Sequence, residues 1–165
     1  MRTLGFLTAL GALAFLLSAC GPGERNDAST AIAGFLAAVQ RDDQAAFEKG
    51  IDRAALQADL RDQLAEMGKS RDMDVDGGAS EFALDRMISP QAVRLAAAQT
   101  APGWPVAPTP AQVVSRMKVR DVAHVCLEQT ATKRCLLDFA KRDGVWRLVG
   151  MPIRSVAADA LTGAP

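Results

Sequence analysis

Tyrosine is absent, histidine occurs once, and aromatic residues make up only 5% of the 165-residue chain. A protein so poor in rings lacks the stacking platforms that sugar and single-stranded nucleic-acid binders use. An excess of charge of either sign is also missing, because 19 basic side chains face 19 acidic ones. No basic stripe is therefore available for nucleic-acid phosphates or acidic lipid headgroups. Beyond residue 19 no apolar run approaches the 18 residues of a membrane-spanning helix. Glycine-rich phosphate loops, nucleophile elbows, internal repeats and paired catalytic carboxylates are not discernible.

What is present begins at the N-terminus. Met1-Arg2-Thr3 carries one positive charge, and Leu4 to Leu17 is an almost purely apolar stretch of 14 residues. As a helix it would reach about 21 Å at 1.5 Å per residue, short of a bilayer's hydrocarbon core. It fits the core of an export signal. The stretch closes with Leu17-Ser18-Ala19-Cys20, which resembles the lipobox of bacterial lipoproteins. The resemblance implies a leader over residues 1–19, cleavage between Ala19 and Cys20, and a diacylglyceryl group on the Cys20 thiol. Lipid of that kind anchors a protein stably to a membrane. Gly21 stands where lipoproteins retained in the inner membrane carry Asp, which points to the outer membrane, facing the periplasm. Residues 20–28, Gly- and Pro-bearing and polar, read as a lipidated flexible tether.

The mature 146 residues are one domain's worth of chain. With Arg2 gone, 18 basic side chains remain against 19 acidic ones, a formal charge of −1. Ser29 or Thr30 is expected to cap a helix that runs to about Arg41, with Ile32, Phe35, Leu36 and Val39 on one face. Asp42-Asp43-Gln44 restarts the chain into a short helix that Gly50 ends. Asp52 then caps a helix striped by Leu56, Leu60, Leu64 and Met67 and closed by Gly68. Ser80, Ser89-Pro90 and Thr109-Pro110 open three more.

From Met117 the pattern becomes strand-like. Met117–Leu127, Arg134–Lys141 and Val145–Val149 read as three antiparallel strands, with Asp143-Gly144 as a hairpin turn. Helices first and strands last make an α+β domain over 29–153, with 154–165 a weakly ordered tail. Cys126 and Cys135 are an even pair in an oxidising compartment. Centring their hairpin between Thr130 and Ala131 sets them directly opposite, and a Cys126–Cys135 disulfide is expected.

The same alternation places Val122, His124 and Cys126 with Leu137, Phe139, Trp146 and Leu148 on the face the helices cover. His124 is then a core histidine, with Asp121 and Asp138 on the other face and out of reach. With the cysteines bonded, too few ligands remain for zinc. Asp72-Met-Asp74-Val-Asp76-Gly77 resembles the start of an EF-hand calcium loop. However, Ala83 stands where the bidentate Glu belongs and Ala79 where a branched apolar residue belongs, so the motif reads first as a solvated acidic loop, with a calcium loop as the alternative. No metal, cofactor or catalytic residue is expected.

From Phe35 onward the order of features resembles a bacterial family known only as a domain of unknown function, whose members carry export or membrane segments. The resemblance rests on Phe35-Leu-Ala-Ala-Val-Gln-Arg-Asp-Asp-Gln-Ala-Ala-Phe47, on Ile51-Asp-Arg-Ala-Ala-Leu56 with Leu60 and Leu64, on Ser89-Pro90, and on Gly144-Val-Trp-Arg-Leu148. It implies no catalytic residues. Helices laid on a curved sheet also resemble the cone-shaped nuclear-transport-factor-like fold, which often holds a pocket. The expected function is a membrane-anchored envelope lipoprotein, a non-catalytic module for interaction with an envelope protein or for assembly. A binder of a small apolar ligand between helices and sheet, lined by Trp146, Phe139 and Leu148, is the alternative. An enzyme using His124 with a carboxylate is the third reading.

Overall fold

The computed structural model describes residues 22–70, 80–100, 103 and 107–153. The Leu17–Cys20 box, the Asp72-Asp74-Asp76 motif, Trp104 and the 154–165 segment lie outside the described residues. Among the described residues six helices precede four strands: α1 Pro22–Gln40, α2 Gln44–Lys49, α3 Arg53–Ser70, α4 Glu81–Met87, α5 Pro90–Thr100, α6 Pro110–Arg116, then β1 Met117–Asp121, β2 His124–Glu128, β3 Cys135–Arg142 and β4 Val145–Gly150. The α+β class and its order match the sequence reading.

Helix α1 starts earlier than its local signals suggest. Residues 22–28, read as tether, form its first turns. Pro22 sits at the helix start, where a missing N–H costs nothing, and Glu24 complements the helix dipole in the first turn. Lys141 then holds Glu24 at 3.0 Å and Asp27 at 3.3 Å, and Trp146 Nε1 donates to Asp27 at 3.2 Å. These partners lie more than a hundred residues away in sequence, so no local pattern could report them. Ser29, expected as a cap, is buried inside the helix and donates its hydroxyl to the Asn26 carbonyl at 2.9 Å.

The other helices begin where capping chemistry places them. Asp43, Asp52, Ser80, Ser89 and Thr109 each accept a backbone N–H of the following turn. Gln112 completes a capping box with Thr109. Gly50 ends α2, and a Cβ there would collide with the Phe35 ring, so the close approach of α2 to α1 requires glycine. Helix α3 does not stop at Gly68 but runs to Ser70.

The sheet has four strands in the order β1-β2-β3-β4, all neighbours antiparallel. The expected strand Met117–Leu127 is two strands folded back at Val122-Ala123. Asp121 makes that turn by accepting the Ala123 N–H at 2.8 Å, a local bond with which Asp competes against ladder pairing. The free edge of β4 is covered by Gly50–Asp52: Leu148 N–H donates to the Gly50 carbonyl and Asp52 N–H to the Leu148 carbonyl, both at 2.9 Å.

The register of β2 on β3 also differs from expectation. Glu128 lies opposite Cys135 and, past a bulge, Leu127 opposite Leu137, Val125 opposite Phe139 and Cys126 opposite Asp138. Turn and bulge together move β2 by an odd number of positions, which exchanges its two faces. Val125 and Leu127, not Val122, His124 and Cys126, join Leu137, Phe139, Trp146 and Leu148 under the helices, and Val122 is exposed in the turn. This core continues through Ile32, Phe35, Leu36, Val39, Phe47, Leu56, Leu60, Leu84, Val93 and Val113. Phe35 stacks on Phe47 and meets Phe139 edge-on, with ring centres 6.0 and 5.9 Å away.

Candidate functional site

The exchange of faces brings the ionisable residues of the strands together on the outer side of the sheet. Asp121 ends β1 and His124 opens β2, and the tight Val122-Ala123 turn between them sets their side chains in contact. His124 Nδ1 lies 2.9 Å from both Asp121 carboxylate oxygens. A carboxylate only accepts, so Nδ1 carries the hydrogen of this pair. The His124 side chain is 40% exposed, which corrects its expected place in the core.

Asp138 on β3 points to the same side, against the expectation that it and Asp121 are out of reach of His124. It receives Arg120 Nη2 at 3.2 Å. Asp59 reaches the same place from α3, accepting the Met151 N–H at 3.1 Å and Gln63 Nε2 at 2.8 Å. Gly150 makes room for both acids. A Cβ there would stand 3.2 Å from the Asp138 Cβ and 3.4 Å from Asp59 Oδ2. Together these residues enclose an open cleft of about 330 Å³, lined by Asp59, Arg120, Asp121, His124 and Asp138, with Phe139, Val149 and Gly150 as its floor.

The three carboxylates are tuned in different directions. Asp121 is held below the usual aspartate range, first by the Ala123 N–H and then by His124. Asp138 is pushed up by burial, which outweighs the Arg120 charge, and Asp59 adds to the rise. Asp59 is pushed up by burial against the opposing bonds from Met151 and Gln63. Burial disfavours the charged form, so both half-buried acids hold protons more readily than Asp121 does.

Chemically the cleft can orient a histidine, bind a basic group and hold protons. None of its lining residues is Ser, Thr, Cys or Lys, so the site offers no nucleophile beyond a histidine or carboxylate. Ser115, on α6, donates its hydroxyl to the Gln112 carbonyl at 2.6 Å.

The disulfide joins Cys126 and Cys135, as expected, with Cα atoms 5.6 Å apart. It is not the directly opposed pair the hairpin centring implied, because Cys126 faces Asp138 across the ladder. Among the described residues one group of three candidate ligands comes together, Cys126, Cys135 and Asp138. Its sulfurs are bonded to each other and supply no thiolate for a metal.

Trp146, Phe139 and Leu148, the expected walls of an apolar pocket, are 6, 1 and 0% exposed. A ligand-sized cavity would leave its walls accessible, so the layer between helices and sheet is filled at these side chains. No helix among the described residues is long and apolar enough to cross a membrane.

Comparison with known proteins adds no relative: no family model, no curated protein and no solved structure matches the chain. The outer cleft was missed from sequence because every signal for it depended on register. The Asp121-Val-Ala-His124 spacing, read as a two-residue turn, is the one local pattern that could have revealed it.

Proposed function

We propose that this protein is a membrane-anchored envelope lipoprotein, held by lipid on Cys20 at the outer membrane and facing the periplasm, and that its α+β domain is a non-catalytic interaction module. The leader, the Leu17-Ser18-Ala19-Cys20 box and Gly21 support the anchor. One observation carries the module: among the described residues the core face is filled at Trp146, Phe139 and Leu148, whereas the outer face presents an ionisable cleft lined by no hydroxyl, thiol or amine nucleophile. Three carboxylates against one guanidinium suit a basic side chain of an envelope protein partner better than an acidic or apolar ligand.

The anchor is tested by growing a bacterial host on an alkyne fatty acid. The full chain is expected to take up label and fractionate with the outer membrane, and Cys20→Ala to lose the label. Label retained by Cys20→Ala would end the anchor reading. The module is tested with a photo-crosslinking residue at Lys118 or Arg120. A discrete protein adduct that Asp138→Asn weakens supports it, and the absence of any adduct counts against it.

A further inference from the structure

Among the described residues, three large apolar side chains stand exposed: Phe82, Val122 and Val145, at 72, 56 and 48%. Val122 and Val145 share one end of the molecule. Val122 is in the β1–β2 turn and Val145 follows the Asp143-Gly144 turn, and the two turns are side by side because the Lys141 N–H donates to the Ala123 carbonyl at 2.7 Å. The first turns of α1 belong to the same end, since Glu24 and Asp27 bond to Lys141 and Trp146.

The ordered start of α1 gives this end a particular position. Pro22 follows Cys20 by two residues, and two residues of fully extended chain span about 7 Å at most. No long linker separates the lipid from the helix. Were residues 22–28 a free tether, the domain could turn any side to the bilayer; as two turns of helix tied down by Lys141, they cannot. We infer that this end is a membrane-contact surface, with Val122 and Val145 resting in the headgroup layer. The inference rests on lipidation of Cys20.

The chemistry of the end specifies which surface it fits. Arg25, Lys141 and Arg142 are matched by Glu24, Asp27, Asp121 and Asp143, so attraction to anionic lipid is weak. Contact is apolar, at the turn tips, and works on zwitterionic lipid. The exposed stems of Arg25 and Arg142 can lie along the interface with their charged heads in water.

The experiment uses the full, lipidated chain in phosphatidylcholine vesicles. Single cysteines at Val122, Val145 or Thr132 are labelled with an environment-sensitive fluorophore, and quenching by headgroup-labelled lipid is read. Thr132 lies at the far end of the sheet, about 25 Å away for an eight-residue strand. Mass spectrometry of the mature N-terminus first establishes the lipid.

Quenching is expected to be severalfold stronger at positions 122 and 145 than at 132. Inserting a long Gly/Ser linker between Gly21 and Pro22 should reduce it to the Thr132 level. Equal quenching at both ends in lipidated protein, or quenching only when phosphatidylglycerol is added, would overturn the inference and leave the anchor standing. Absence of lipid on Cys20 would overturn both. V122D in the turn and V145D at the exposed start of β4 leave the core intact and should lose the quenching.

Discussion

The two faces of the sheet are built from the same strands, one residue apart, and obey different rules. On the inner face Val125, Leu127, Leu137, Phe139 and Leu148 are at most 2% exposed and share one core with residues of α1, α3, α5 and α6. On the outer face His124, Asp138 and Arg120 are partly exposed and interact as discrete pairs. Burial of apolar area is cumulative and non-directional, so the inner face tolerates uncertainty about which side chain meets which. The outer face has no such redundancy. Its chemistry exists only if His124, Asp121, Asp138 and Asp59 arrive on one side together.

The largest expected effects lie on the inner face. Phe139→Ala removes a ring that closes the core against Phe35 and should cost about 3–5 kcal/mol in urea unfolding. Val125→Ala, which deletes two buried methyl groups opposite Phe139, should cost about 2 kcal/mol. A loss of only a few tenths in either would mean that the two faces do not differ as described.

The disulfide comes next. It spans nine residues of separation and straps the outer side of β2 to the start of β3. Replacing both Cys126 and Cys135 by Ala should cost about 2–3 kcal/mol in the chain-entropy description. The far-UV spectrum should stay unchanged, because the core face does not include the bridge. Collapse of the fold on reduction would show that the outer face carries more stability than its exposed pairs suggest.

Much of the inner face was legible from sequence, because helical and strand periodicities mark core positions wherever register is not in question. Leu56 and Leu60 on α3, and Phe139 and Leu148 on the strands, are buried as their spacing requires. Caps at Asp52, Ser80 and Thr109 were equally legible, since they rest on chemistry within four residues. The outer cleft was not. Val122-Ala123 is a turn without Gly or Asn, and the bulge between Leu127 and Glu128 leaves no compositional trace. The bulge shifts the alternation of β2 against β3, so His124 was placed on the wrong side by a pattern that was right about β3. The start of α1 was hidden for another reason, that its stabilising partners are Lys141 and Trp146.

A smaller effect separates the acids of the outer face. Asp138 has its pKa raised in the folded state by burial. Its favourable contribution is therefore fully present below the unfolded value of 3.8 and is lost as pH rises through the folded value. At neutral pH the ionised, half-buried group is a liability that Asp138→Asn removes. That variant should be more stable than the parent near pH 7, by less than about 1 kcal/mol given the exposure of the pair. The gap should close below pH 3.8. Asp121 is shifted the other way, so Asp121→Asn should destabilise at neutral pH and become neutral in acid. Equal signs for the two variants would contradict the environments assigned to them.

The smallest expected effect discriminates most sharply between the registers. His124→Gln removes a partly exposed ring whose described partner is the exposed Asp121, so unfolding free energy should change by no more than about 0.5 kcal/mol. Val125, the next residue along, should lose about 2 kcal/mol on truncation to Ala. In the register that simple alternation suggests, the order reverses: His124 sits under the helices, its replacement leaves a buried polar site or a void, and Val125 faces water. The two residues are neighbours on the same strand. What differs is the face, and with it the existence of the cleft. A cost above about 1 kcal/mol for His124→Gln, with a negligible one for Val125→Ala, would return His124 to the core and dissolve the site.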